Sequence, residues 1–242
     1  MKTTRTWMTV VLAATILSAG CAGMDPAMKA SILQALQAKK GMNLETITAG
    51  LKEALVVGTE KAVARASARG GYAQNPKIRI PMPEELGKVK EALGKIGLDP
   101  IITRFEDKMN EAAEHAAANA VPVFVDAIRA MTFQDAKAIL KGEGSAATDY
   151  FREKTSARLR EIYAPIVKGR MDDVGAVRSY NDLMDRYSKI PFLPKPKFTL
   201  EDYVTDSAIR GLFDMLADEE QKIRQDPAAR TTELLKKVFG SR

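Results

Sequence analysis

Residues Asp99–Phe124 read DPIITRFEDKMNEAAEHAAANAVPVF, and their periodicity decides the fold class. Ile102, Phe105, Met109, Ala113, Ala116, Ala120 and Phe124 recur every three or four positions. That spacing gathers side chains on one flank of an α-helix rather than on one face of a strand. Asp99-Pro100 supplies a cap followed by a residue suited to the first helical turn. The small side chains between Ala112 and Ala120 leave room for a neighbouring helix to pack closely. The helical stretch is expected to run toward Met131, with a bend or break at Pro122, which has no N–H to donate.

The same signals extend in both directions. Upstream, Pro83 opens a helix to about Ile96, closed by Gly97. Before it, Gly70-Gly71 end a helix, and Lys77-Ile78-Arg79-Ile80 alternate charged and apolar ahead of Pro81-Met82-Pro83. This predicts an extended Pro-rich strap or short β segment near residues 72–82. The strap is favoured, because a lone strand has no sheet to join. A helix capped by Asn43 precedes it, reaching about Ala68, with Leu44, Ile47, Leu51, Leu55, Ala62 and Val63 on one stripe. Gly58 lies on that stripe and marks a place of close approach. Downstream, Thr132 recaps a short helix to Leu140, and Gly142 and Gly144 form a turn. Helices are expected over 146–163, 166–173 and 177–189, followed by a stiff link at Pro191, Pro194 and Pro196. Thr199 with Asp202 reads as a capping box opening a helix to Gln225, and Asp226-Pro227 starts a last one ending at Lys236, Lys237 and Gly240. The fold class is therefore all-α, a single multi-helix domain spanning residues 43–240.

The 242 residues are 45% hydrophobic and 28% charged, which excludes a collagen-like or wholly disordered chain. One Cys and one His exclude a disulfide framework and any zinc set built on several thiols or imidazoles, so no metal or cofactor is expected. The first segment reads as an address. Lys2 and Arg5 precede an apolar run from Met8 to Leu17, about half the ~20 residues a membrane span needs. Leu17-Ser18-Ala19-Gly20-Cys21 resembles a lipobox, with Ser18 where Leu is favoured. Residues 1–20 are thus expected to be a removed signal peptide. Residues 21–42 form a tether with a short helix from Pro26 to Lys39. Removing Lys2 and Arg5 lowers the formal charge from +6 to +4, too little for a nucleic-acid footprint.

Resemblance to bacterial lipoproteins implies that Cys21 becomes an N-acyl, S-diacylglyceryl cysteine, enough acyl chains for stable anchoring. Ala22 follows it where an Asp would resemble an inner-membrane retention signal. The expected location is the periplasmic leaflet of the outer membrane. The chain also resembles a bacterial lipoprotein family defined only as a domain of unknown function, numbered four-one-nine-seven. The stretches that carry the likeness include Ala54–Thr59, Gly71-Tyr72, Asn75–Pro81, Asn110–Glu114, Asp135-Ala136, Ile139–Gly142 and Ala146–Arg152. They continue through Pro165–Val167, Tyr203–Thr205, Gly211–Phe213, Glu219-Glu220, Ile223-Arg224 and Pro227–Thr232. The resemblance implies export and lipidation but brings no activity and no catalytic residues.

Candidate sites are few. His115 shares a helix face with Glu111, Asn119 and Lys108, which reads as a solvated face. On the last long helix Val204, Ala208, Leu212, Met215 and Ile223 make one stripe, and Glu219 lies between the last two. A carboxylate there needs a positive or hydrogen-bonding partner. Glu220 can pair with Arg224 one turn on. Arg152, near Tyr150 and Thr148, and Thr155, which interrupts an apolar face, complete a set that either lines a polar pocket or locks helices through a buried ion-pair network. Arg230-Thr231-Thr232 reads as helix capping, and the strap as cover for its own helices rather than an edge for a partner strand. These features favour a binding or structural envelope protein, whose partner would be an envelope protein, a polymer or an amphipathic ligand. Two alternatives stay open: a hydrolase of an envelope polymer using Glu219 or Glu220, and a carrier of an amphipathic ligand.

Overall fold

The computed structural model describes residues 44–173, 175–189 and 199–226. Among them stand eight α-helices and one 3-10 turn, with no strand. In chain order the helices are α1 (Leu44–Ser67), α2 (Gly87–Gly94), α3 (Asp99–Ala117), α4 (Val121–Ala130), α5 (Phe133–Lys141), α6 (Ala146–Asp173), α7 (Ala176–Ser188) and α8 (Leu200–Gln225). The tether helix, the Pro191–Pro196 link, the last helix and Arg230–Thr232 lie outside the described residues.

The long helices α6 and α8 pack most extensively on each other, and α3 lies against both. All seven apolar positions of the 99–124 stripe are buried. Phe124 of α4 meets Phe151 of α6 edge-on at 5.2 Å and Phe213 of α8 at 6.1 Å, the geometry that aromatic quadrupoles favour. The chain breaks between Ala117 and Val121, so that Pro122 sits in the first turn of α4, where its missing N–H costs nothing. Thr132 and Asp135 form a reciprocal capping box at the start of α5. Gly58 approaches Ile223 of α8, as its place on the α1 stripe suggested.

Three local expectations are corrected. Residues 146–173 are one helix that passes through Pro165. Pro165 faces solvent, while Tyr163 and Val167 on either side are fully buried, so core packing carries the helix past the missing hydrogen bond. Thr199 makes no side-chain cap; Asp202 instead reaches Arg160 of α6 at 3.0 Å. The helix after Pro83 begins as a 3-10 turn at Glu84–Leu86 before α2.

Residues 68–83 form the strap, with turns at 69–74 and 76–78 and extended backbone beyond. Tyr72, Ile78, Ile80 and Met82 are buried, which carries backbone amides into the core where each needs a partner. α3 provides them from three polar side chains spaced one turn apart. The Glu114 carboxylate accepts from the N–H groups of Gly70, Tyr72 and Ala73 at 3.1–3.2 Å. The Asn110 amide accepts from the Ile80 N–H at 2.8 Å and donates to the Ile80 carbonyl at 2.9 Å, the same pair of bonds a neighbouring strand would make. The Glu106 carboxylate accepts from the Met82 N–H at 3.0 Å and pairs with Arg79 and Lys90. Burial pushes the Glu106 pKa up, but these bonds and the Lys90 charge outweigh it and hold the group below its ordinary value.

On its other side the strap meets α8. The Tyr72 hydroxyl donates to the Ala208 carbonyl at 2.6 Å. Gly211 makes this possible, since a Cβ there would lie 2.8 Å from the Tyr72 ring. Gly71 is equally constrained: its Cβ would stand 2.4 Å from the carbonyl oxygens of both Arg65 and Ala66. The outward edge of the extended part offers no ladder to a partner. Pro81 and Pro83 have no N–H, and the Pro81 carbonyl already accepts from the Tyr203 hydroxyl.

Replacing Asn110 with Ala leaves the Ile80 N–H and C=O without partners in the core. The expected loss is about 2–4 kcal/mol, read as a lower urea midpoint with unchanged slope. An unchanged midpoint would show that Asn110 does not fasten the strap.

Candidate functional site

The structure brings together Glu219, Glu220 and Arg224, near the end of α8, and places Arg152 and Thr155 elsewhere. The α8 stripe that singled out Glu219 is buried along its whole length, so both carboxylates are carried into contact with other helices.

Glu219 accepts from Arg65 of α1 at 2.6 Å and from Lys222 at 2.8 Å. Its side chain is 9% exposed, while both cations are about half exposed. The carboxylate is therefore covered by two solvated cations. Burial raises its pKa, but the hydrogen bonds and charges of Lys222 and Arg65 outweigh that and hold it below its ordinary value of 4.5. A group so held does not serve as a proton donor near neutrality.

Glu220 and Arg224 do different work. They sit one turn apart on α8, beside the Gly142–Ser145 turn that joins α5 to α6. Glu220 accepts from the N–H groups of Ala147 and Thr148 and from the Thr148 hydroxyl, each at 2.9 Å. It thus caps the N-terminus of α6 from another helix. Arg224 donates to the Ile139 carbonyl at 2.9 Å and to the Gly142 carbonyl at 3.1 Å, closing the C-terminus of α5. The two side chains are paired at 2.8 Å and are only 8% and 12% exposed. Each charge also has the sign that its helix end attracts: a carboxylate at the N-terminus and a guanidinium at the C-terminus. The pairing anticipated at i, i+4 is present, but burial makes it a structural lock and not a marginal surface contact.

Arg152 pairs with Asp149 at 3.1 Å and lies over the Phe213 ring, 5.2 Å from its centre. Thr155 is buried and donates to the Phe151 carbonyl one turn back. Neither contacts the Glu219–Glu220 set. Thr148, noticed only as a neighbour of Arg152, is the hydroxyl that Glu220 engages. Arg65 was missed altogether; it is separated from Glu219 by 154 positions, and no local pattern links them. His115 is exposed, and Glu111 pairs with Lys108 instead. Among the described residues no group of three His, Cys, Asp or Glu side chains is placed to hold a metal ion.

Beneath the lock, between α1, α5, α6 and α8, lies a cavity of about 30 Å³ floored by Leu51, Leu55, Phe151 and Leu216. That is room for about one water molecule. The arrangement can satisfy helix ends and fix the order of four helices.

Glu220→Ala strips two buried N–H groups of their acceptor and removes the carboxylate paired with the buried Arg224. The expected cost is about 3–5 kcal/mol, against a smaller loss for Glu219→Ala, whose cations remain solvated; denaturant unfolding of both variants makes the comparison. Because its folded pKa is lowered, Glu219 contributes stability that is fully present above 4.5 and fades as pH falls through the lower folded value. Part of the acid destabilisation should therefore vanish in Glu219→Gln, and an unaltered acid limb would count against the pairing with Arg65 and Lys222.

No curated protein and no solved structure matches the chain. The model of a family described as Protein of unknown function (DUF4197) matches residues 41–240, a span that includes every helix described above. The chain belongs to the DUF4197 family.

Proposed function

We propose that the chain is an exported lipoprotein, acylated on Cys21 and held at the periplasmic leaflet of the outer membrane. Its helical domain serves there as a binding or structural component of the envelope. The observation that carries this reading is the position of the sole cysteine. It follows a basic head, an apolar run too short to span a bilayer and the small residues Ser18-Ala19-Gly20. Small residues let a peptidase reach the backbone before the thiol, and the thiol is the atom that takes up diacylglycerol. Among the described residues no helix is long and apolar enough to cross a membrane, so the acyl chains would be the attachment.

For the domain, binding or structure is favoured over hydrolysis by the state of the two acidic residues a hydrolase would use. General acid work needs one carboxyl with a raised pKa. Glu219 is instead held ionised by two cations, and Glu220 is committed to the helix ends.

Intact-mass measurement of the native chain tests the anchor. The expected polypeptide begins at Cys21 and carries a diacylglyceryl group and an amide-linked acyl chain, and Cys21→Ser is expected to leave the membrane fraction or to retain its leader. A native chain with an unmodified thiol overturns the proposal.

A further inference from the structure

Away from the lock, α6 and α8 line a shallow, open groove of about 400 Å³ that includes the buried side chains of Ile209 and Phe213. Three arginines line it, Arg152 and Arg160 from α6 and Arg210 from α8, against the single carboxylate of Asp206. A guanidinium carries five N–H donors. Arg152 commits one to Asp149, and Arg160 commits one each to Asp202 and Asp206. Arg210 makes no hydrogen bond or ion pair among the described residues. Arg152 is stacked on the Phe213 ring, which restrains a long side chain that solvent would otherwise leave mobile. The groove therefore holds one restrained guanidinium with most of its donors unused and one wholly unpaired guanidinium. On its other side Arg210 shares a second opening with Glu84, Glu85 and Asp214, none of which forms an ion pair with it, whereas Asp149, Asp202 and Asp206 are engaged by Arg152 and Arg160.

We propose that this groove binds a phosphate group, presented either by a small soluble phosphate compound or by a lipid headgroup, chiefly through Arg210 and Arg152. A phosphate offers several acceptor oxygens to two guanidiniums at once, and the planar fork of arginine matches it in a way a lysine would not. The apolar side chains of the groove suit whatever uncharged portion the phosphate carries. The inference stands apart from the acylation of Cys21 and from the Glu219–Glu220 lock, since none of these arginines touches either.

The test titrates the full chain in nonionic detergent with two probes, inorganic pyrophosphate and dihexanoyl-phosphatidylglycerol below its micelle concentration, by calorimetry. Three proteins are compared: wild type, Arg210→Ala, and Arg158→Ala, which removes the same charge from another face of α6. Arg210 is exposed and unpaired, so its variant is expected to fold; Arg152→Ala gives a second reading of the same site. Saturable binding of at least one probe is expected, weakened about tenfold or more in Arg210→Ala and nearly unchanged in Arg158→Ala. Binding of pyrophosphate alone identifies a soluble phosphate compound as the ligand; tighter binding of the lipid identifies a headgroup. No saturable binding of either probe, or equal weakening by both substitutions, overturns the proposal.

Discussion

The fold depends on how an extended segment is carried through a helical core. Strap residues 68–83 lay apolar side chains between α3 and α8, and they bring peptide groups with them that no helix or sheet satisfies. The solution is a column of polar side chains on α3. Glu106, Asn110 and Glu114 repeat at one-turn spacing and take up the strap amides in order. Each of these side chains is desolvated, and each is fully occupied. An unfilled acceptor here would cost more than the bond itself contributes, so the column and the strap stabilise one another or fail together.

A second device follows the same logic at the helix ends. Four N–H groups and four carbonyls are left over wherever a helix stops. Where α5 gives way to α6, both sets of orphans face the core, and local caps do not reach them. The pair on α8 answers both with opposite charges from a single turn, Glu220 to the amides and Arg224 to the carbonyls. A buried ion pair is weak evidence for stability in isolation. This one is different because both partners also bond the helix ends beside them, Glu220 the buried amides of Ala147 and Thr148 and Arg224 the carbonyls of Ile139 and Gly142.

Much of the helical framework was legible in the sequence, because its signals are local. The 3.6-residue period of the 99–124 stretch and of α8 named the buried residues correctly, and Thr132 opens a helix as read. Pro165 misled, since the penalty for an interior proline is a local quantity while the packing of Tyr163 and Val167 that overrides it is not. Thr199 misled for a related reason: its partner-to-be, Asp202, is drawn off by Arg160 across the α6–α8 contact. The polar column on α3 was illegible. Charged residues beside an apolar stripe read as a solvated margin, and the strap amides they serve lie 24–44 positions away in the chain. Glu219 stood out because it interrupts a stripe, and Glu220 with Arg224 because they stand one turn apart; those two local signals were the traces of the site that the sequence carries. The partner of Glu219 on α1 left none.

The prolines of the strap have a wider consequence. An extended chain at the surface of a protein ordinarily offers its peptide groups to any similar chain that drifts past. Here the inward groups are taken by a side-chain amide and two carboxylates, and the outward positions cannot donate. The segment has the shape of a strand without the capacity to recruit one. Neighbouring molecules can therefore collide strap to strap without zipping into a fibre.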